Sequence, residues 1–179
     1  MRLWKRIAAI TVLILGLGST TVVSAGPASA LTMPPRMSKL ERTWQMAVFN
    51  MLNLERTTHG RSPLRLNLHL VRSARYHNVR MARANTLSHQ LPNEPVFTDR
   101  EVDFDYHWST AGENCSVNPD VSLSGVLELQ RLMYKERPPG ETGHRQNILS
   151  PHYKDIGIAV LIDPVNQRVW MTEDFGAPA

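Results

Sequence analysis

Over 179 residues the chain carries 20 Lys+Arg against 16 Asp+Glu, a formal +4, and one cysteine. Arg2, Lys5 and Arg6 precede an apolar run from Ile7 to Leu17, and small residues then end in Ala28-Ser29-Ala30. That order is the one a secretory signal uses, and the run is shorter than the ~20 residues of a spanning helix. Residues 1–30 are therefore read as a signal peptide, leaving seventeen basic against sixteen acidic residues, a net +1. A net charge so close to neutral gives no reason to expect nucleic acid as a partner. The expectation is an exported protein, secreted or held in the cell envelope, with no stable membrane anchor after cleavage. The lone Cys115 leaves it without an internal disulfide, and an apolar strand position makes that thiol a packing residue and not a nucleophile.

Residues 31–37 read as a flexible leader and 38–179 as one domain. Ser38-x-x-Glu41 has the spacing of a capping box. Leu40, Trp44, Val48 and Leu52 then recur at helical spacing until Gly60. Asn67 can cap a second helix with an apolar stripe through Leu70, Val71, Ala74, Asn78, Met81 and Ala82. His69 and His77 ride on it, two turns apart, and read as solvent-facing or core-edge residues. "LSHQLPNEP" ends that helix and puts His89 on a loop. Residues 96–110 read as loop with at most one helical turn.

"AGENCSV" reads as a short strand, and Asp120 as the cap of a third helix reaching about Glu136, with Leu123, Val126, Leu127 and Met133 inward. "GETGHRQNIL" at 140–149 reads as a loop delivering His144. "DIGIAVLID", "PVNQ" and "RVWMTEDFG" read as a hairpin. Helices first and a hairpin last indicate an α+β domain. His59, His107 and His152 read as surface residues, Trp170 as sheet packing, and Glu173 and Asp174 as solvated or paired with Arg145. Arg145 and Asn147 read as loop anchors acting through backbone carbonyls.

No zincin, hydrolase-elbow, dinucleotide or paired-cysteine signature is present. Six short pieces in order do carry a resemblance: "MLNLERTTHGRSPLRLNLHL", the end of the first helix and the turn that follows it, "LSH" at His89, "GEN" at 112–114, "GHRQNIL" at 143–149, "IGIAV" and "WMTEDFG". Together they resemble the CAP superfamily of cysteine-rich secretory, antigen 5 and pathogenesis-related proteins, in its disulfide-free bacterial branch. The resemblance covers about Met46 to Gly176. It implies an α-β-α sandwich, a central antiparallel sheet flanked by helices, with a cleft lined by two histidines and two glutamates. By that match the cleft residues are His89, Glu113, Glu136 and His144, with Glu141 as the alternative to Glu136.

Two imidazoles offer nitrogen ligands to a divalent metal such as zinc, with His89 and His144 as the metal residues and open positions left for water. Carboxylates beside them can orient the rings, and without metal the four groups make coupled acid/base pairs. Three readings stay open. The first is a binding module for a divalent metal, a lipid or a peptide-like ligand. The second is a metal-assisted hydrolase of envelope or peptide bonds with Glu113 as general base. The third is an interaction protein in which His144 and Glu113 only tie a loop to the sheet.

Overall fold

The computed structural model describes residues 32–137 and 143–179, together with the backbone of a strand over Ala8–Ile14. Helix α1 spans Lys39–Thr58, and its capping box forms: the Ser38 hydroxyl accepts from the Glu41 N–H at 3.1 Å, and the Glu41 carboxylate accepts from the Ser38 N–H at 2.7 Å. Gly60, at φ +68°, lets the chain turn away after its end. Helix α2, Leu68–Ala84, starts where Asn67 Oδ1 accepts the His69 N–H at 2.9 Å and stops at Asn85, in the left-handed conformation.

Ala8–Ile14 is β1, Arg65–Leu66 is β2, Trp108–Asn118 is β3, Asp155–Asp163 is β4 and Arg168–Pro178 is β5. The sheet order is β1-β3-β5-β4-β2, antiparallel except where β2 joins β4. The shorter helices are α3 (Phe97–Asp103), α4 (Leu123–Lys135) and α5 (Gly143–Leu149).

Strand residues alternate between faces, so each face of the sheet gathers its own core. On one face Trp44, Val48 and Leu52 of α1, Leu129 and Met133 of α4 and Ile148 of α5 cover Ile156, Ile158, Val160, Met171 and Phe175. On the other, Met81 of α2 and Leu91 pack with Cys115, Val117 and Trp170. Helix α2 crosses β4 at Gly157, where a Cβ would lie 2.1 Å from the Leu70 carbonyl carbon. The α-β-α sandwich expected from the sequence is present.

Several local expectations change. Residues 97–103 form the helix α3 and 108–110 open an eleven-residue strand, so only Val96 and 104–107 remain of the loop expected over 96–110. Helix α4 is capped by Ser122, whose hydroxyl accepts the Gly125 N–H at 3.1 Å, and not by Asp120. Leu123 is 39% exposed because it stands at that N-terminus, short of the packed turn. His144 comes on a helix and not on a loop. Of the stretch read as a signal, Ala8–Ile14 forms an edge strand; the cleavage site at Ala30, Pro138 and Glu141 lie outside the described residues.

Candidate functional site: two histidine–glutamate pairs across one strand

Beyond α2 the chain turns back so that the Ser88 carbonyl oxygen accepts from His77 Nε2 at 2.7 Å, and Ser88 also bonds Gln90 through its hydroxyl. This fixes His89, whose Nδ1 lies 2.7 Å from Glu113 Oε1 on β3. The other Glu113 oxygen accepts from Arg100 of α3. Glu113 and Arg100 are both fully buried.

The second pair forms where α4 ends and α5 begins. Glu136 follows the last residue of α4, and its Oε1 meets His144 Nδ1. Its Oε2 accepts the backbone N–H groups of His144 at 3.0 Å and Arg145 at 3.3 Å. The span from Glu136 to His144 is short, yet one carboxylate at a helix start can serve both the ring and the open N–H groups.

Glu113 and Asn114 are consecutive on β3 and so face opposite sides of the sheet. Asn114 Nδ2 reaches the His144 carbonyl oxygen at 3.4 Å, and Asn147 Nδ2 donates to the Glu113 carbonyl oxygen at 3.2 Å and to Asn114 Oδ1 at 2.9 Å. The two pairs therefore flank β3, joined through its backbone. His144 does not bond Glu113; each imidazole has its own carboxylate. In both rings Nδ1 is the nitrogen committed, and both Nε2 atoms are buried with no hydrogen-bond partner among the described residues.

Behind Glu113 lies a buried ionic cluster that spacing did not reveal. Arg100 stands 3.7 Å from Glu94 and 3.9 Å from Asp174, and the Ser73 hydroxyl donates to Asp174 at 2.6 Å. Phe97, Arg100, Glu101 and Phe104 have helical spacing, the one signal that would have turned Arg100 and Glu101 inward. His77 is also fully buried, not at the core edge, with Nδ1 2.9 Å from Glu94. Glu173 and Asp174 are fully buried as well, neither solvated nor bonded to Arg145. Arg145 and Asn147 do bind backbone carbonyls, of Tyr134 and Glu113.

Burial alone would raise the Glu113 carboxyl, but Arg100, then His77 and His89, hold it well below the usual carboxylate range. Burial pushes Asp174 and Glu101 upward instead, since one guanidinium cannot neutralise every carboxylate around it. Glu173 is pushed up to about 8 and Glu55 to about 7, both chiefly by burial. The Cys115 thiol is raised by burial and by the nearby Glu113, which agrees with an inert packing role. Ligand atoms of His77, Glu113 and Cys115 lie within 4.8 Å of one another. Both His77 nitrogens already face oxygen acceptors, so that group has no free imidazole lone pair for an ion.

The family model described as the cysteine-rich secretory protein family, CAP, matches residues 49–175, most of the chain. The chain belongs to the CAP family. The uncharacterized protein YkwD of Bacillus subtilis (strain 168) is 30% identical over 115 residues, covering 64% of this chain and 41% of that protein. Among solved structures, an extracellular protein containing an SCP domain from Bacillus anthracis is 25% identical with a TM-score of 0.65, covering 85% of this chain and 45% of that one. An outer surface protein of Borrelia burgdorferi superposes with a TM-score of 0.66 at 14% identity, over 82% of this chain and 100% of that one. The Borrelia likeness is one of fold alone. The chain spans under half the length of the two Bacillus proteins. No described helix is long and apolar enough to cross a membrane.

Proposed function

We propose that this CAP domain is an exported binding module, released by cleavage after residue 30, whose ligand meets the Nε2 atoms of His89 and His144. The observation that carries this reading is the pair of buried, unpartnered Nε2 atoms, each on a ring held through Nδ1 by a carboxylate. That is how proteins hold imidazoles that bind a divalent metal: the carboxylate fixes the ring and raises its basicity. The chemistry of two such imidazoles suits zinc, with His89 and His144 as the ligands and Glu113 and Glu136 orienting the rings. When bound, such an ion would supply an open coordination position for a lipid or peptide-like ligand. Export is supported by the signal-like start and by the Bacillus anthracis relative, described as extracellular.

The hydrolase reading has less support. A general base needs an accessible lone pair and a pKa near the working pH, whereas both Glu113 oxygens are engaged and Arg100 holds the carboxyl low. A calorimetric zinc titration of the chain lacking residues 1–30 tests the binding reading. Saturable binding near neutral pH, lost in His89→Ala and in His144→Ala, is expected; no heat in the parent protein would remove the metal. Peptide or envelope-fragment turnover that needs zinc and Glu113 would reinstate the hydrolase.

A further inference from the structure

Net charge hides an uneven distribution. Residues 32–84 hold ten Lys and Arg against two Asp and Glu, whereas residues 85–179 hold seven against fourteen. Helix α2 concentrates the excess: Arg72, Arg75, Arg80 and Arg83 with no acidic residue along its length. Arg75 is buried and spent on structure, bonding Glu41 at 3.1 Å and the carbonyl oxygens of Pro35 and Val160. Arg80 donates to the Pro92 carbonyl oxygen and lies over the Tyr76 ring. Arg36, Arg72 and Arg83 are exposed and have no ion pair or side-chain hydrogen bond among the described residues. Exposed Arg42 bonds, among the described residues, only the Met37 carbonyl oxygen.

These four cations border a recess. The stretch Met33-Pro34-Pro35 lies across α2, pinned by the 3.2 Å bond from Arg75 to Pro35. On one side of it a hollow of about 280 Å³ is edged by Arg36, Arg42 and Arg72. On the other, a hollow of about 150 Å³ is edged by Arg83, with Val79 and Tyr76 in its wall. Arg72 and Arg83 are eleven positions apart, about 16 Å along the helix axis. A guanidinium fork matches phosphate oxygens in geometry and charge. Nearby acidic side chains do not quench these arginines: Glu41 is taken by Arg75, and Glu94 is buried beside His77.

We propose that the groove between the leader and α2 binds a linear, phosphate-bearing polymer, with Arg36, Arg42, Arg72 and Arg83 as its contacts. The recessed shape favours a narrow chain over a flat bilayer. The site is separate from the histidine pairs and does not depend on how they function.

The test is titration of linear polyphosphate into the full chain at several salt concentrations, read by calorimetry. Four phosphate contacts would make affinity fall roughly a hundredfold between about 50 and 200 mM salt. The double variant Arg72→Gln/Arg83→Gln should weaken binding by roughly tenfold or more and lower the salt slope by about two. A control with the same charge change on the opposite face, Arg131→Gln/Lys135→Gln, should bind as the parent does. Circular dichroism checks that each variant folds, and Arg36→Gln/Arg42→Gln provides a second probe should the first pair disturb α2. The proposal is overturned if polyphosphate does not bind, or if the control pair weakens binding equally. Binding to phosphatidylglycerol vesicles through Arg72 and Arg83, with none to polyphosphate, would also overturn it.

Discussion

Arg100 supports the site from beneath. Its guanidinium lies among Glu94, Glu113 and Asp174, all fully or nearly fully buried, with Arg80 reaching only Glu94, at 3.9 Å. Replacing it by Met leaves Glu113 and Asp174 without their guanidinium, and breaking a buried pair in this way costs about 3–5 kcal/mol. Urea unfolding of Arg100→Met should show that loss, whereas Arg72→Gln, which touches nothing charged, should unfold as the parent does. The raised carboxyls give a second expectation. Glu55 and Glu173 hold protons in the fold, at about 7 and about 8, that they release near 4.5 when unfolded. The folded state then binds more protons, so their contribution is complete below about pH 4.5 and declines as pH rises to about 8. Glu113 works in the opposite sense, its stabilisation being lost only in strong acid. Between about pH 5 and pH 9 stability should therefore fall, and Glu173→Gln should flatten that slope; an unchanged midpoint across this range would refute the assignment. Arg100 and Glu101 were not legible in the sequence because the charges around them arrive from β3 and β5 at long range, and His77 because its partners, Glu94 and the Ser88 carbonyl, lie on an irregular segment with no pattern to place them.

At the level of elements, what could be read was local. Ser38 and Asn67 cap their helices as the spacing predicts, and the 155–178 hairpin forms around the four residues that look like a turn. Errors arose where two nearby residues could fill one role. Asp120 and Ser122 are both good caps, and Ser122 wins because its hydroxyl reaches the Gly125 N–H while Asp120 is held back by a bond to Asn118. Ser122→Ala should cost about 1 kcal/mol and Asp120→Ala much less, measured by thermal unfolding. Helix α5 was hidden by the glycines and charges of "GETGHRQNIL", which read as loop; its start is stabilised from outside, by Glu136 at the end of the preceding helix. Gly157 marks the closest approach of two elements. Gly157→Ala would force α2 off β4 at Leu70, and this overpacking should cost about 1–3 kcal/mol or more.

For the whole molecule, the order of six short motifs was more informative than any one of them. Each lies on a different element, and the fold brings "LSH", "GEN" and "GHRQNIL" to the same stretch of β3. Composition was less informative, since a net charge near neutral conceals a basic first half and an acidic second half.

The outer edge of β3 has a consequence for when the site can act. Strand β1 pairs with Ala111 through Val117, so its backbone runs past Glu113 and Asn114, the two positions from which the histidine pairs are reached on opposite faces. If residues 8–14, paired along that edge, also close the approach to both imidazoles, they are a stopper that an ion touching both would have to displace. Cutting the chain after residue 30 would then do two things at once: free the protein and unseal its site. The uncut chain should take up zinc more weakly than the cut one, and its β3 amides should exchange with solvent more slowly. Equal zinc affinity in the two forms would mean that the stopper does not hold. On this reading the uncut chain would carry its own safety catch, and cleavage would set the moment at which the histidines first meet what lies outside.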